Sequence, residues 1–350
     1  MVLKNSYDKK VGVIGAGSFG TAVSNILAEN NPVLLYSRKP EVARQINETR
    51  INSGQKLQNR ITVTDDLELI ADQCEIIFPI VPSENFRSMM QQLSPFLHPY
   101  HILIHGTKGL EMVLSEDEFN NNMIVTREHI RTMSEVIQDE SVVVRIGCLA
   151  GPNLAKELSQ SLPAATVVAS HFDEVIAEGQ RLLRSDRFQV YGSKDLIGVE
   201  LSGVLKNIIA IASGAVSGLQ LGENARALLI SRGMVEMIYL GKVLGGNIRA
   251  FIGLAGIGDL IATCTSPLSR NYSVGYRMAK GEKIDHIINT MEETAEGINT
   301  IKIIKRMMQH YKTRAPITEM LYRVLFEDLT VEEALQYLMK YPFNVDVDFI

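Results

Sequence analysis

The sequence predicts an α/β fold, with a doubly wound sheet in the N-terminal half followed by an all-α C-terminal domain. Short apolar runs alternate with helical stretches in the first half, which is typical of βαβ units. Around Gly192–Asp195 the strand pattern stops, and only helical spacing follows. The chain has 350 residues, more than one hydrophobic core usually holds. We therefore place two domains, at residues 1–194 and 195–350.

The first predicted strand and helix enclose a glycine-rich turn. The strand Val11–Ile14 leads into Gly15-Ala16-Gly17-Ser18-Phe19-Gly20, after which helical spacing begins. Such a turn holds the pyrophosphate of a dinucleotide at a helix N-terminus. Gly15 would permit the tight turn, Gly17 the approach of the phosphates, and Gly20 the close packing of helix on strand. A glycine-rich turn of an unrelated α/β protein is the alternative for this motif alone.

Further apolar runs supply the other strands of a Rossmann-like domain. They lie at Pro32–Tyr36, Cys74–Val81, His101–His105, Ser141–Ile146 and Ala165–Ala169. Helical stretches separate most of them, as a doubly wound sheet requires. The polar and partly helical segment Glu111–Glu140 receives no chemical role.

The end of the second strand indicates the cofactor. An acidic residue about 20 positions past the glycines usually binds the ribose 2′-hydroxyl of NAD. Here the strand ends in Tyr36-Ser37-Arg38-Lys39, without an acid. Ser37 and Arg38 can hold a 2′-phosphate instead, so we expect NADP to be preferred and NAD to be a second cofactor. The alternative is that Arg38 is a solvated loop cation.

Two more turns of the first half carry polar residues. Lys108 lies between glycines after the strand His101–His105, where open α/β sheets bind ligands. Gly151-Pro152-Asn153 leads into a helix, and its backbone N–H groups would suit a polar ligand. A surface turn and ordinary helix initiation are the respective alternatives.

The composition indicates a small-molecule partner. Lys and Arg number 35 against 40 Asp and Glu, which gives a net charge of −5. This mild acidity does not support binding to nucleic acid or to an anionic membrane. The apolar helical half makes a homodimer the expected assembly.

Cysteine usage and the N-terminus indicate a cytoplasmic protein. Cys74, Cys148 and Cys264 are far apart and form no CxxC motif, so we expect reduced thiols and no metal site. The N-terminus runs into the first strand without an apolar signal segment. We expect no later apolar run to be long and uninterrupted enough for membrane insertion.

A lysine interrupts the apolar first helix of the second domain. Over Leu196–Ala215, small residues lie near the face of Lys206, which is followed by Asn207. A buried ammonium needs a charged partner, and desolvation would lower its pKa toward values that suit proton transfer to a ketone oxygen. The alternative is a lysine whose stem packs while its ammonium reaches water.

Two charged residues of the helical half complete the candidate site. Asp259, a lone carboxylate among apolar residues, is the expected partner of Lys206, although it could instead be a helix N-cap. Arg270 carries the planar fork that suits a phosphate, with Ser269 and Asn271 as further donors. A surface salt bridge is the alternative for Arg270.

These residues belong to blocks that follow one family's order from the first strand to about residue 300. The chain resembles the bacterial NAD(P)-dependent glycerol-3-phosphate dehydrogenases. The matching blocks are Gly15–Ala22, Thr107–Glu111, Leu205–Ala210, Gly222–Ala227, Gly256–Cys264, Ser269–Asn271 and Glu296–Gly297.

The resemblance implies a Rossmann-like domain followed by an all-α domain like the C-terminal part of 6-phosphogluconate dehydrogenase. It implies reversible reduction of dihydroxyacetone phosphate to sn-glycerol 3-phosphate for phospholipid synthesis. Lys206 would be the proton donor or acceptor, with Lys108 and Asp259 beside it. The implied substrate contacts are Lys108, Gly151, Asn153, Lys206, Asn207, Asp259, Thr263, Ser269, Arg270 and Asn271. Beyond the three glycines, the implied cofactor contacts are Ser18, Phe19, Arg38, Lys108, Ala155, Arg270 and Glu296.

The chain departs from the family pattern at three places. Asn153 stands where a serine or threonine is usual, Glu111–Glu140 is longer than typical, and residues 50–59 lack the usual Leu-Pro pattern. Two rival functions stay open. One is a β-hydroxyacid dehydrogenase acting on a small carboxylate, and the other is a redox sensor that binds NAD(P)H without turnover.

Overall fold

The computed structural model describes residues 9–114 and 124–342. The chain divides into two compact units. The first comprises the described residues up to Thr107 together with Met133–Leu196, and the second comprises the described part of Lys108–Thr132 together with the chain from Ile197 onward. Residues 115–123 of the polar segment, which the sequence left without a role, lie outside the described residues.

An eight-stranded sheet organises the first unit, in the order β12-β11-β10-β7-β6-β1-β2-β5. Two short hairpins, β3–β4 and β8–β9, lie outside that sheet. The strands are β1 Lys10–Ile14, β2 Val33–Tyr36, β3 Ile51–Asn52, β4 Gln55–Lys56, β5 Ile61–Thr64, β6 Cys74–Pro79, β7 Ile102–His105, β8 Glu111–Met112, β9 Ile130–Arg131, β10 Arg145–Ala150, β11 Ala164–Ser170 and β12 Phe188–Ser193.

Six strands of the sheet, from β5 to β10, run parallel. Their order β5-β2-β1-β6-β7-β10 is that of dinucleotide-binding folds, with the reversal of order between β1 and β6. The predicted Rossmann-like domain is therefore confirmed. At the far edge β11 runs antiparallel to β10, and β12 pairs parallel with β11.

Both faces of the sheet are covered, which explains the continuous apolar runs of its strands. Along β1, Val11 and Val13 pack into one core, whereas Ile14 packs into the other. The helices of this unit are α1 Ser18–Leu27, α2 Pro40–Thr49, α3 Leu67–Gln73, α4 Phe86–Leu93, α5 Met133–Glu140, α6 Ala155–Ser159 and α7 Asp173–Leu183.

The strand prediction for the eight-stranded sheet was wrong in three details. The predicted strand Ser141–Ile146 begins only at Arg145, and Val142 and Val144 are exposed. The strands β5 and β12 were not predicted, because their inward residues alternate with exposed ones over only a few positions. A half-buried pattern of this length is hard to separate from a loop.

The second unit is helical beyond residue 196, as predicted, within the described residues. Its helices are α8 Leu196–Gly218, α9 Gly222–Val243, α10 Ile248–Ile252, α11 Asp259–Thr265, α12 Arg270–Ala279, α13 Ile284–Thr290, α14 Glu296–Tyr311, α15 Pro316–Phe326 and α16 Val331–Lys340. A π-helical turn, Leu254–Gly258, connects α10 to α11.

The prediction that no apolar run could cross a membrane needs correction. Helix α8 has 23 residues and passes that test by length and composition. Its most apolar window is 94% buried inside the protein, as in the core helix of a folded unit. Only two charged residues, Glu200 and Lys206, interrupt its sequence.

A buried carboxylate fastens α9 to the start of α15. Glu236 accepts hydrogen bonds from the backbone N–H groups of Ile317 and Thr318, both at 2.8 Å, and from the Thr318 hydroxyl at 2.5 Å. Burial raises the pKa of Glu236 to about 7, against the lowering effect of these three bonds. The arrangement satisfies backbone donors that the first turn of a helix leaves unpaired.

Candidate active site

The glycine-rich turn of the first unit has no room for side chains at two of its glycines. Gly15 has φ +119°, and a Cβ there would lie 2.0 Å from the Ile80 carbonyl oxygen. A Cβ on Gly20 would lie 1.9 Å from the Gly15 carbonyl oxygen. These contacts confirm the predicted tight turn at Gly15 and the close packing of α1 at Gly20.

The start of α1 is open to an anion. Its N-cap is Gly17, which has no side chain to bond the first-turn N–H groups, and Ser18 and Phe19 begin the helix. Such N–H groups attract phosphate. The turn therefore fits the pyrophosphate of NAD(P), the group that its sequence predicts it to bind.

The hairpin β3–β4 holds this turn in place. The Asn52 side-chain amide donates to the Ala16 carbonyl oxygen at 2.8 Å and to the Thr21 hydroxyl at 2.7 Å. The Gln55 amide donates to the Ser18 carbonyl oxygen at 2.8 Å. The sequence analysis did not predict either residue. The one sequence feature that could have pointed to them is that residues 50–59 depart from the family pattern.

The remaining predicted residues of the first unit lie at the ends of its strands. Arg38 is exposed just after β2, whereas Ser37 is buried. Gly151 and Asn153 follow β10, and Ala155 begins α6. The Asn153 amide donates to the Ala165 carbonyl oxygen at 3.0 Å, while its buried Oδ1 has no hydrogen-bond partner among the described residues.

A buried ion pair forms the centre of the second unit's site. Lys206 is only 5% exposed, and its Nζ donates to Asp259 Oδ1 at 2.7 Å and to Thr263 Oγ1 at 2.5 Å. Lys108 Nζ donates to the other oxygen, Asp259 Oδ2, at 2.7 Å. One carboxylate thus bridges two ammonium groups, and the alternative of a Lys206 ammonium in water is wrong.

The local helix geometry explains why Asp259 is available for this role. Gly258 is the N-cap of α11, and Asp259 is its first residue, so the N-cap alternative for Asp259 is wrong. Its side chain is instead turned to the two lysines. Thr263, one helical turn later, donates to the Asp259 carbonyl oxygen at 2.6 Å and so holds its own hydroxyl toward Lys206.

Two buried serines fasten α8 to the segment that carries Asp259. Ser202 Oγ donates to the Ala255 carbonyl oxygen at 3.2 Å, and Ser213 Oγ donates to the Cys264 carbonyl oxygen at 2.7 Å. Lys206 lies between them in sequence. The small residues noted near Lys206 therefore also bring the two backbones together.

Burial sets the proton affinity of Lys206. Burial lowers the pKa of Lys206 to about 8: desolvation is the largest cause, the charge of Asp259 opposes it, and the charge of Lys108 adds to the lowering. A lysine with a pKa near neutrality can donate and accept a proton readily.

The predicted substrate residues Asn207 and Asn271 meet through a glycine. The Asn271 amide oxygen accepts from the Gly297 N–H at 3.0 Å, and a Cβ on Gly297 would lie 2.9 Å from the Asn207 carbonyl oxygen. The Asn207 amide donates to the Lys108 carbonyl oxygen at 3.4 Å. Helices α8, α12 and α14 therefore converge on this site. The role of Gly297 was missed, although it belongs to one of the matching sequence blocks.

Arg270 lies at the start of α12, which Ser269 caps by accepting from the Tyr272 N–H at 3.3 Å. Arg270 Nη1 lies 3.2 Å from the Thr294 carbonyl oxygen and 3.1 Å from Glu293 Oε2. The side chain is 47% exposed, so a surface salt bridge is present. Glu296, a predicted cofactor contact, is the first residue of α14.

The three cysteines are free and buried, as expected. Burial raises the pKa values of Cys74 and Cys264 to about 12, which keeps both as thiols. Within residues 9–114 and 124–342, no group of His, Cys, Asp or Glu side chains is arranged to hold a metal ion.

We expect Asp259→Asn to destabilise the protein strongly, because it leaves the buried Lys206 ammonium without a counter-charge. The expected loss is about 3–5 kcal/mol in the free energy of unfolding, measured by urea titration with circular dichroism. The control is Glu293→Gln, which breaks the exposed pair with Arg270 and should cost less than about 1 kcal/mol. Equal losses would contradict the importance assigned to the buried pair.

Comparisons with known proteins agree with this geometry. Residues 10–176 match the family model for the N-terminus of NAD-dependent glycerol-3-phosphate dehydrogenase, and residues 195–336 match the model for its C-terminus. The glycerol-3-phosphate dehydrogenase (NAD(P)+) of Pseudomonas aeruginosa strain LESB58 is 39% identical over 345 residues, which cover 97% of each chain. That of Pseudomonas fluorescens strain Pf0-1 is 38% identical over 347 residues, or 98% of this chain and 94% of the relative.

Solved structures give the same result. The crystal structure of glycerol-3-phosphate dehydrogenase from Coxiella burnetii matches with a TM-score of 0.85 and 31% identity over 95% of this chain and 99% of that one. A D-mandelate dehydrogenase matches with a TM-score of only 0.56 at 12% identity, a likeness of fold alone. The protein described here belongs to the NAD-dependent glycerol-3-phosphate dehydrogenase family.

Proposed function

We propose that the protein catalyses the reversible reduction of dihydroxyacetone phosphate to sn-glycerol 3-phosphate with NADPH or NADH, and so supplies glycerophospholipid synthesis. The observation that carries this proposal is the buried Lys206, held by Asp259 and Thr263 beside a second lysine. The membership of this protein in the glycerol-3-phosphate dehydrogenase family supports the same reaction.

The glycine-rich turn of the first unit would hold the dinucleotide. When bound, the nicotinamide supplies or accepts the hydride. The uncapped start of α1 would bind the pyrophosphate, with Ser18 and Phe19 beside it. Arg38 is exposed at the end of β2, where it would bind a 2′-phosphate and favour NADP. The other proposed cofactor contacts are Ala155, Glu296, Lys108 and Arg270.

Lys206 is the proposed proton donor for ketone reduction. An ammonium has three N–H donors, and Lys206 directs one to Asp259 and one to Thr263. The third is then held in a fixed direction, where it can donate to the substrate oxygen as negative charge develops. Asp259 stabilises the charged form of Lys206 that this step requires.

Lys108 contributes charge rather than a proton. It binds the second oxygen of Asp259 and is 20% exposed, unlike the nearly fully buried Lys206. Two ammonium groups and one carboxylate give the cluster a net positive charge, which favours a developing alkoxide.

The substrate phosphate would bind to donors at the start of α12. Arg270 offers a planar fork, and Ser269 and Asn271 are its neighbours in sequence. Asn207 and Thr263 would hold the rest of the substrate, with Gly151 and Asn153 as contacts from the first unit. Fixing the phosphate would bring the ketone into hydride reach.

The two rival functions receive less support. The likeness to D-mandelate dehydrogenase concerns the fold alone, so a reductase of small carboxylates is not favoured. A redox sensor without turnover would not need a buried lysine tuned toward neutrality. A homodimer and a cytoplasmic location remain part of the proposal, and sedimentation and cell fractionation would test them.

The first experiment follows the loss of NADPH absorbance as the protein is mixed with dihydroxyacetone phosphate. We expect oxidation that depends on this ketone, and Lys206→Ala should lower kcat on the order of 10²- to 10⁴-fold, since it removes the proton donor. The control is Lys283→Ala, which removes an exposed lysine and should leave kcat unchanged. Activity only on a short 2-keto acid would support the carboxylate reductase instead.

The pH dependence should differ between the two directions. Reduction needs the charged form of Lys206, so its kcat should fall as the pH rises through about 8, whereas oxidation needs the neutral form and should rise through about 8. Because Asp259 raises the pKa of Lys206, Asp259→Asn should move both limbs to lower pH. If the kcat profiles of this variant change at the same pH as those of the wild type, the ion pair with Asp259 does not set the pKa of Lys206.

Arg38→Ala should raise the KM for NADPH while leaving the KM for NADH nearly unchanged, because only NADPH carries the 2′-phosphate. An increase of about tenfold corresponds to one charge-assisted bond. Lys39→Ala, which removes the adjacent exposed cation, is the matched control. A wild-type preference for NADH would refute the assignment of Arg38.

A further inference from the structure

A large apolar groove lies in the second unit, and none of the residues assigned to catalysis is part of its lining. Helices α8, α9, α12, α15 and α16 form its walls, and its volume is about 480 Å³. We call it the helical groove. Its lining includes Ala215, Leu228, Met320, Val324, Leu335 and Met339.

The lining of the helical groove is unusual for a surface open to water. Leu228 is 48% exposed and Met339 is 65% exposed. Contiguous exposed apolar surface of this kind usually marks a site that another segment or protein covers. Among the described lining residues, Arg232 carries the only permanent charge.

The chain itself leads out of this groove. Helix α16 ends at Lys340, and Tyr341 is part of the lining. Eight residues, Phe343–Ile350, follow Pro342 and lie outside the described residues. Extended, eight residues reach about 26 Å. The 11-residue helix α15, which forms one wall, is only about 16 Å long, so the segment can follow the groove.

The sequence of this segment complements the helical groove. Apolar and polar residues alternate in the order Phe343, Asn344, Val345, Asp346, Val347, Asp348 and Phe349. A period of two places the apolar side chains on one edge of an extended segment and the polar ones on the other. The two aspartates carry the charge opposite to that of Arg232.

We propose that Phe343–Ile350 binds in the helical groove of its own chain. Its apolar edge would cover the exposed side chains of α9 and α16, and Asp346 or Asp348 would pair with Arg232. The segment would then act as a strap that fastens α16 to α8 and α15. This inference does not depend on the proposed reaction.

Hydrogen exchange measured by mass spectrometry tests the strap. A chain that ends at Pro342 should exchange the backbone amides of α15 and α16 on the order of tenfold faster than the full chain. A synthetic peptide with the sequence of Phe343–Ile350 should restore the slower exchange when added to the shortened chain. Unchanged exchange after the deletion would overturn the proposal.

Point variants separate binding of the strap from general damage to the fold. Val345→Asp with Val347→Asp places charges on the apolar edge and should reproduce the faster exchange, whereas Asn344→Ser should not. Arg232→Glu should also accelerate exchange, and adding Asp346→Lys and Asp348→Lys should reverse that effect. NADPH oxidation by these variants monitors the fold, because none of the altered residues belongs to the catalytic machinery. Failure of the reversal would exclude the charge pairing.

The protein concentration identifies the occupant of the groove. A strap from the same chain gives exchange rates that do not change on dilution. If protection of α15 and α16 is lost as sedimentation detects dissociation, a second copy covers the groove and the proposal is wrong. Protection that persists in the shortened monomer would likewise refute it.

Discussion

The carboxylate of Asp259 is the constraint on which the second unit depends. Removing a lysine ammonium from water costs several kcal/mol, and only a well-placed opposite charge offsets this cost. Lys206 is almost fully buried, and its Nζ lies 2.7 Å from Asp259 Oδ1. Any arrangement that separated α8 from α11 would leave a buried charge unpaired. The ion pair therefore selects the packing of these two helices and fixes the position of the Lys206 ammonium.

The local structure around this pair follows from the same requirement. A lysine in the middle of an apolar helix reaches a carboxylate only if the opposing backbone comes close. Ser202 of α8 donates to the Ala255 carbonyl oxygen at 3.2 Å, which shows this approach. Gly256 permits the tight turn after α10, since a Cβ there would lie 1.9 Å from the Phe251 carbonyl oxygen. The π-helical turn Leu254–Gly258 then delivers Asp259 as the first residue of α11. Such turns frequently occur at functional sites.

Much of this arrangement could be predicted from the sequence. The strand Val11–Ile14 and the glycines that follow it form a recognisable local motif. A lysine within an apolar helix, as at Lys206, requires a charged partner when it is buried. The hairpin that holds the glycine turn could not be predicted, because Asn52 and Gln55 act through backbone carbonyls far away in the chain. Gly297 was missed for the same reason, because its role is to allow α8, α12 and α14 to approach one another closely.

Two predicted substrate residues have weak structural roles of their own, which strengthens their assignment. The buried Oδ1 of Asn153 has no hydrogen-bond partner within the described part of the chain, although buried polar atoms are normally satisfied. Arg270 is half exposed, and its pair with Glu293 is of a kind that contributes little to stability. A ligand that bonds these groups would therefore displace few strong interactions. By contrast, Lys206 and Asp259 form a buried ion pair that Thr263 and Lys108 extend, so these groups are held in place before any ligand binds.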